Sequence, residues 1–379
     1  MILNAQQILE SPIILRGALA IDQRKSGIGI RRLPDWTRPQ VPQNLDVMAR
    51  MPSGVRLIFT TDSKSIAIKT QLTRLIRMDA EPEPLCFNLE LADGYLAHAF
   101  TEHGNIIRFD PNDEANFELT RGEPGTLKFD NLPGQNKTVS IWLPHNAYVE
   151  LQGIELDDGA SLKEPGEQGR KWLHHGSSIS HCMEAKQPAL TWPAVAGRRS
   201  GVNLQSLGFG GQCHLDQFVA RTIRDSDADL ISLKVGINII NGDTMRERVF
   251  VPALHGFLDT IREGKPETPI LLVSPIYCPS AEETPGPTIP DETGKFITQP
   301  GYELIRDGCL TLQRVRTLIA GVASVREDSR LGYLDGLSLF GADDAHDLPD
   351  DLHPNPEGYI RMGERFAESA FGNNGFFNR

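Results

Sequence analysis

Two textures of apolar spacing divide the chain. Up to about Leu156, apolar and polar residues alternate in short runs: VRLIFTT (Val55 to Thr61), SIAIKTQL (Ser65 to Leu72), FNLELA (Phe87 to Ala92), YLAHAF (Tyr95 to Phe100), NIIRF (Asn105 to Phe109), TLKF (Thr126 to Phe129), TVSIWLP (Thr138 to Pro144) and YVELQGIEL (Tyr148 to Leu156). A period of two puts one face of each run in a core and the other in water, so each predicts a strand. Asp-Gly, Pro-Gly and Asp-Ser turns separate several of them, and many short strands joined in this way predict a β-sandwich or jelly roll. Asp157 to Arg170, DDGASLKEPGEQGR, is polar, rich in Gly and charge, and has no apolar period; it reads as a linker.

Beyond the linker, single apolar runs alternate with longer amphipathic stretches. KWLHH (Lys171 to His175), VNLQSL (Val202 to Leu207), DLISLKVG (Asp229 to Gly236), PILLVSPI (Pro269 to Ile276) and LGYLDG (Leu331 to Gly336) predict strands. CHLDQFVARTIRDS (Cys213 to Ser226), RERVFVPALHGFLDTIREG (Arg246 to Gly264) and GYELIRDGCLTLQRVRTLIAGV (Gly301 to Val322) predict helices. Strand, helix, strand repetition implies an α/β domain, a parallel sheet with helices on both faces. The boundaries expected are residues 1–160 for the all-β domain and 170–379 for the α/β domain. The Pro-rich segment Cys278 to Pro300 is too long for a tight connection and predicts a flap or a mobile surface loop.

Charge and cysteine content narrow the function. The 379 residues carry a net charge of -12, without the basic field that gathers nucleic acid or anionic lipid. No apolar run approaches the roughly 18 residues that span a bilayer, and the first residues, MILNAQQILESPIILRG, make a poor signal peptide. The five cysteines are odd in number and scattered, with no Cys-x-x-Cys pair, which argues for a reducing compartment and a cytoplasmic location.

In parallel sheets ligands bind at the carboxyl ends of the strands, and the candidate chemistry lies there. Ser178 follows the first strand in HHGSSIS. A serine hydroxyl needs a base, a group orienting that base, and donors for the oxyanion. His353 in DDLHPNPEGY supplies an imidazole, with Asp350 three residues before it and Asp351 as an alternative acid. Gly208 in SLGFGG offers an unobstructed backbone N–H, and Asn238 in VGIN offers a neutral side-chain donor. Each has a bland alternative as turn or cap chemistry; their order, each past a strand end, carries the argument. His174, His175, His181 and Cys182 are close in sequence, but a strand points the first two to opposite faces, as wall or core histidines rather than metal ligands. Asp157 with Asp158 and Asp343 with Asp344 read as solvated loop charges, Arg198 and Arg199 as a surface face, and Trp172 as core.

GSSIS, SLGFGG, VGIN and DDLHPN, in this order, resemble the four blocks of the SGNH, or GDSL-type, hydrolase superfamily over about the last two hundred residues. The resemblance extends to a branch in which a β-sandwich precedes the hydrolase domain, a branch that includes a salicylyl acyltransferase. It implies a flavodoxin-like sheet and a serine esterase acting on a small-molecule ester or acyl donor, or an acyltransferase passing the acyl group to an alcohol acceptor. It also implies Ser178 as nucleophile, His353 and Asp350 completing the triad, and an oxyanion hole of the Ser178 amide, the Gly208 amide and the Asn238 side chain, with no metal or organic cofactor. A non-catalytic binding protein is the remaining alternative. Ser177 stands where most of the superfamily has Asp, Ile239 where many members have Asp, and Asp351 where glycine is common.

Overall fold

The computed structural model describes residues 1–110, 113–167, 169–299 and 307–378. By its contacts the chain divides into two units. The first comprises Met1–Arg38, Asp46–Gln168 and Lys186–Ala189; the second comprises Pro39–Leu45, Gly169–Ala185 and Leu190–Arg379.

The first unit is built almost wholly of strands. In chain order they are β1 (Ile2–Asn4), β2 (Ile14–Arg16), β3 (Ala20–Arg24), β4 (Gly27–Arg31), β5 (Arg56–Thr61), β6 (Ile66–Arg77), β7 (Leu85–Leu91), β8 (Leu96–Thr101), β9 (Asn105–Asp110), β10 (Asp113–Thr120), β11 (Gly125–Phe129), β12 (Lys137–Trp142) and β13 (Ala147–Leu156), with helices α1 (Ala5–Glu10) and α2 (Gln43–Ala49) between them. One eight-stranded sheet follows the path β10-β9-β6-β13-β4-β3 with β1 and β11 attached, and a five-stranded sheet has the order β2-β5-β12-β7-β8. Alternate residues of both sheets, among them Ile28, Ile68 and Val149 from one and Phe59, Phe87 and Ile141 from the other, enter a single buried cluster. Two sheets closing on one core make a β-sandwich.

The stretch read as a linker is tied down over its first half. Asp157 accepts the N–H groups of Lys64 and Ser65 on Oδ2, Ser161 receives a bond from Thr61 Oγ1, and Lys163 pairs with Thr60 across the edge of β5. Its polar composition reflects side chains bonding backbone, so Asp157 is a turn-forming acceptor and not a free loop charge.

The second unit holds strands β14 (Lys171–Gly176), β15 (Asn203–Gly208), β16 (Leu230–Lys234), β17 (Ile270–Val273) and β20 (Leu331–Leu334), all parallel, in the order β15-β14-β16-β17-β20. Numbered within this sheet the order is 2-1-3-4-5, the flavodoxin-like arrangement, whose direction of winding reverses at β14 and β16. The connecting helices are α3 (Ser178–His181), α4 (Trp192–Ser200), α5 (Gln217–Arg224), α6 (Ile237–Asn241), α7 (Glu247–Gly264), α8 (Leu312–Val325) and α9 (Pro356–Phe366). β15, β16 and β17 are buried along their whole length, and β14 from Trp172 onward, because both faces of the sheet are covered. The helix expected from Gly301 begins instead at Leu312, where Thr311 caps it by accepting the Arg314 N–H; residues 301–306 lie outside the described residues.

Within the Pro-rich segment, β18 (Thr288–Pro290) and β19 (Phe296–Thr298) form a hairpin. Trp172 is fully buried among Trp192, Phe366 and Phe371, as core. Asp344, by contrast with its expected solvation, is buried, hydrogen-bonded to Arg365 and ion-paired with Arg361, and the two arginines fasten α9 to the turn at residues 342–347. Arg199 pairs with Glu364 at the surface.

Candidate active site

Ser178 opens α3 directly after β14. As the first helical residue its N–H has no acceptor within the helix. The helix can sit this close to the sheet because two neighbouring residues lack side chains. A Cβ on Gly176 would fall 2.3 Å from Ser180 Oγ, and one on Gly208 would fall 2.6 Å from the Ser180 carbonyl carbon. Gly176 is not in a left-handed conformation, so close approach is its reason for being glycine. Ser177, in the place of the superfamily's usual Asp, accepts the N–H groups of Ser180 and His181 on its carbonyl, while its buried Oγ has no partner among the described residues. Ile239 is buried in α6.

Beneath the helix a chain of hydrogen bonds runs through the core. Trp172 Nε1 donates to Ser232 Oγ at 2.9 Å, Ser232 Oγ meets His174 Nδ1 at 2.7 Å, and His174 Nε2 meets Ser180 Oγ at 2.8 Å. On the other face of β14, His175 bonds the Leu207 carbonyl and lies 3.5 Å from Cys213 Sγ. Burial pushes His174 well below its ordinary value and His175 down to about 4, so both are neutral struts. Among the described residues no group of three or more His, Cys, Asp or Glu is placed to hold a metal. Cys86, Cys182, Cys213 and Cys278 are buried free thiols, and burial pushes Cys213 up to about 12 and Cys278 up to about 11, so neither of these two is a thiolate at neutral pH.

The segment before α9 brings Asp350 and His353 together. Asp350 Oδ1 accepts the N–H groups of Leu352 at 3.0 Å and His353 at 2.7 Å, fixing the turn, and its Oδ2 lies 2.7 Å from His353 Nδ1. Asp351 sits between them with φ +63°, a conformation that explains why glycine suits the position, and its carboxylate pairs with Lys295. Pro354 and Pro356 follow, and Asn355 caps α9 by accepting the Gly358 N–H at 2.8 Å. His353 Nε2 lies 2.9 Å from Ser178 Oγ. A carboxylate only accepts, so Nδ1 carries the proton and Nε2 is left to accept from the serine hydroxyl.

Burial would raise Asp350, but the hydrogen bond and charge of His353 and two backbone N–H groups outweigh it and hold the carboxyl below its ordinary value. Burial alone would lower His353; the charge of Glu184 and the hydrogen bond and charge of Asp350 hold it above 6.5.

Asn238 lies in the first turn of α6, its Oδ1 accepting the Cys213 N–H at 2.9 Å. That bond turns the NH₂ group the other way. Ser178, Gly208 and Asn238 thus stand at the carboxyl ends of β14, β15 and β16, around the point where the winding reverses.

Two residues without any sequence signal join the site. The Phe296 ring meets His353 edge-on at 5.6 Å, and its N–H bonds the Asp350 carbonyl at 2.8 Å, so the hairpin lies against the Asp350–His353 segment as a flap. Glu184 reaches to 3.9 Å from His353 Nδ1. No composition or spacing marks either.

Residues 170–281 match the GDSL-like lipase/acylhydrolase family. The matched stretch lies almost wholly in the second unit. The whole chain is similar to the salicylyl-acyltransferase SsfX3 from a tetracycline biosynthetic pathway, with 28% identity and a TM-score of 0.78 over 96% of this chain and 95% of that one. It shares its fold with a protein described as a GDSL-like lipase from Bacteroides ovatus ATCC 8483, at 20% identity and TM-score 0.66 over 97% and 95% of the two chains. It shares it also with a family two carbohydrate esterase from Clostridium thermocellum, at 12% identity and TM-score 0.58 over 94% and 97%. No curated protein sequence matches. The family match and the likeness to an acyltransferase support an enzyme acting on ester bonds. No helix among the described residues is long and apolar enough to cross a membrane.

Proposed function

We propose that this GDSL-like enzyme cleaves a carboxylic ester through an acyl-serine intermediate on Ser178. His353 Nε2 takes the hydroxyl proton as Oγ attacks the carbonyl carbon, and Asp350 holds the imidazole in the required tautomer and stabilises the imidazolium. The oxyanion is met by the Ser178 and Gly208 amides and the Asn238 NH₂ group. The imidazolium returns its proton to the departing alcohol, and water, deprotonated by His353, releases the acid. The single observation carrying this reading is the continuous chain from Ser178 Oγ through His353 to Asp350, at 2.9 and 2.7 Å.

A fluorophosphonate probe tests it. Wild-type protein is expected to be labelled at Ser178, and Ser178→Ala to lose both labelling and turnover of an activated aryl ester. Wild-type turnover in that variant sinks the assignment.

The likeness to SsfX3 over nearly the whole of both chains favours a second reading, transfer of the acyl group to an alcohol. The first half-reaction is the same, and the two are separated by partition of the acyl-enzyme between water and added alcohols. In either case we read residues 170–379 as the catalytic domain and residues 1–160 as an accessory β-sandwich, with the free thiols suiting a cytoplasmic setting.

A further inference from the structure

His353 has two carboxylates on the same side of its ring. Asp350 Oδ2 accepts from Nδ1 at 2.7 Å; Glu184 Oε1 lies 3.9 Å from the same nitrogen. Glu184 comes from the turn after α3, near the serine in sequence, whereas Asp350 comes from the histidine's own segment. Glu184 is also held in place. The Tyr359 hydroxyl, fully buried on α9, donates to Glu184 Oε2 at 2.7 Å, which leaves Oε1 turned toward the imidazole. The His353 side chain is 12% exposed and that of Glu184 35%, so water screens the pair only in part.

We propose that Glu184 is a positioning residue for the reaction, a second carboxylate that supports the His353 imidazolium alongside Asp350 and is itself oriented by Tyr359. The inference rests on the reading of His353 as general base. A base must be neutral to accept the serine proton and is charged while the tetrahedral intermediate forms, and a fixed negative charge near Nδ1 stabilises that charged form without touching the substrate. The charged and titratable groups facing His353 are few. Asp350 and Glu184 bear on the ring directly, Asp351 on the same turn is paired with Lys295 of the flap, Tyr359 is reached through Glu184, and Phe296 covers one side of the ring without charge.

Two predictions separate this role from simple packing. Glu184→Gln retains an oxygen for the Tyr359 hydroxyl and removes only the charge, so the variant should melt with the wild type. Its kcat/KM profile should keep its shape but move its acid limb to lower pH, because one of the two carboxylates that hold His353 above its ordinary 6.5 has gone. Second, Asp350→Asn with Glu184 intact should retain more activity than the loss of about 10⁴-fold seen when an isolated triad acid is neutralised. Asp350→Asn combined with Glu184→Gln should fall at least about tenfold further, since a charge at this range is worth that much even when partly screened. Rescue of the acid limb by Glu184→Asp supports the role.

An acid limb at the wild-type position in Glu184→Gln, together with a double variant no worse than Asp350→Asn, overturns it. Failure of the underlying reading looks different: a wild-type profile flat from pH 5 to 8 removes His353 as the base and this proposal with it.

Discussion

Asn238 has one amide and two directions in which to use it. Its Oδ1 is taken by the Cys213 N–H, so the geometry of the loop after β15 decides where its NH₂ points. If that NH₂ holds the oxyanion, Asn238→Ala should lower kcat by about 100- to 1000-fold, and Asn238→Asp, which keeps the acceptor for Cys213 but presents an oxygen to the oxyanion, should be at least as slow. Single-turnover acylation by an aryl ester measures both; activity within a few-fold of wild type in Asn238→Asp would leave the residue as a loop tether only. The same dependence on detail explains which residues were legible. Ser178, Gly208 and Asn238 are candidates in the sequence because each follows a predicted strand end, His353 because it comes last in the expected order, and Asp350 is preferred over Asp351 on spacing alone. The structure puts Asp350 on the imidazole and Asp351 on Lys295. Glu184 and Phe296 reach His353 only through the tertiary fold, and no periodicity or local motif encodes that.

At the scale of elements, the placement of α3 depends on what β15 lacks. A Cβ at Gly208 would lie 2.6 to 2.8 Å from the Ser180 carbonyl and the His181 nitrogen, all backbone atoms that have no rotamer to escape into. Gly208→Ala should therefore displace the helix that carries Ser178. We expect a folded protein destabilised by about 1–3 kcal/mol, with kcat/KM and the rate of phosphonate labelling both reduced on the order of 100-fold, the cost of moving a reacting group by about 1 Å. Labelling at the wild-type rate would show that the helix tolerates the methyl group. The elements themselves are legible where apolar residues carry the pairing. β10 leaves no apolar signature because Phe117 and Leu119 are exposed and the strand is held by its ladder to β9. β1 to β4 are short, and in GIGIR the two buried isoleucines are separated by glycine, which blurs the alternation. The hairpin of β18 and β19 was legible only as a segment too long to be a plain connection.

For the molecule as a whole, alternation of strand and helix was enough to infer a parallel sheet, but not which polar groups that sheet would bury. Lys234, at the end of the central strand β16, is buried, and its Nζ has no hydrogen-bond partner among the described residues. Burial lowers it from 10.5 to about 8, with charge interactions from Cys213 and Cys182 opposing and from Arg316 adding. The folded-state value lies below the unfolded one, so the unfolded chain holds this proton more tightly. Below pH 8 the lysine is charged in both states and opposes folding in full; between pH 8 and 10.5 the folded protein sheds the proton and the opposition is relieved. At about 1.4 kcal/mol per pKa unit the penalty at pH 7 is about 3 kcal/mol. Lys234→Met fills similar space without the charge and should raise the thermal midpoint at pH 7 by several degrees. The gap between variant and wild type should then narrow as pH rises from 8 toward 10.5. Equal midpoints at pH 7, or a gap that stays constant to pH 10, would mean that the ammonium is satisfied where it lies, and that the sheet tolerates a cation at its centre at no cost to folding.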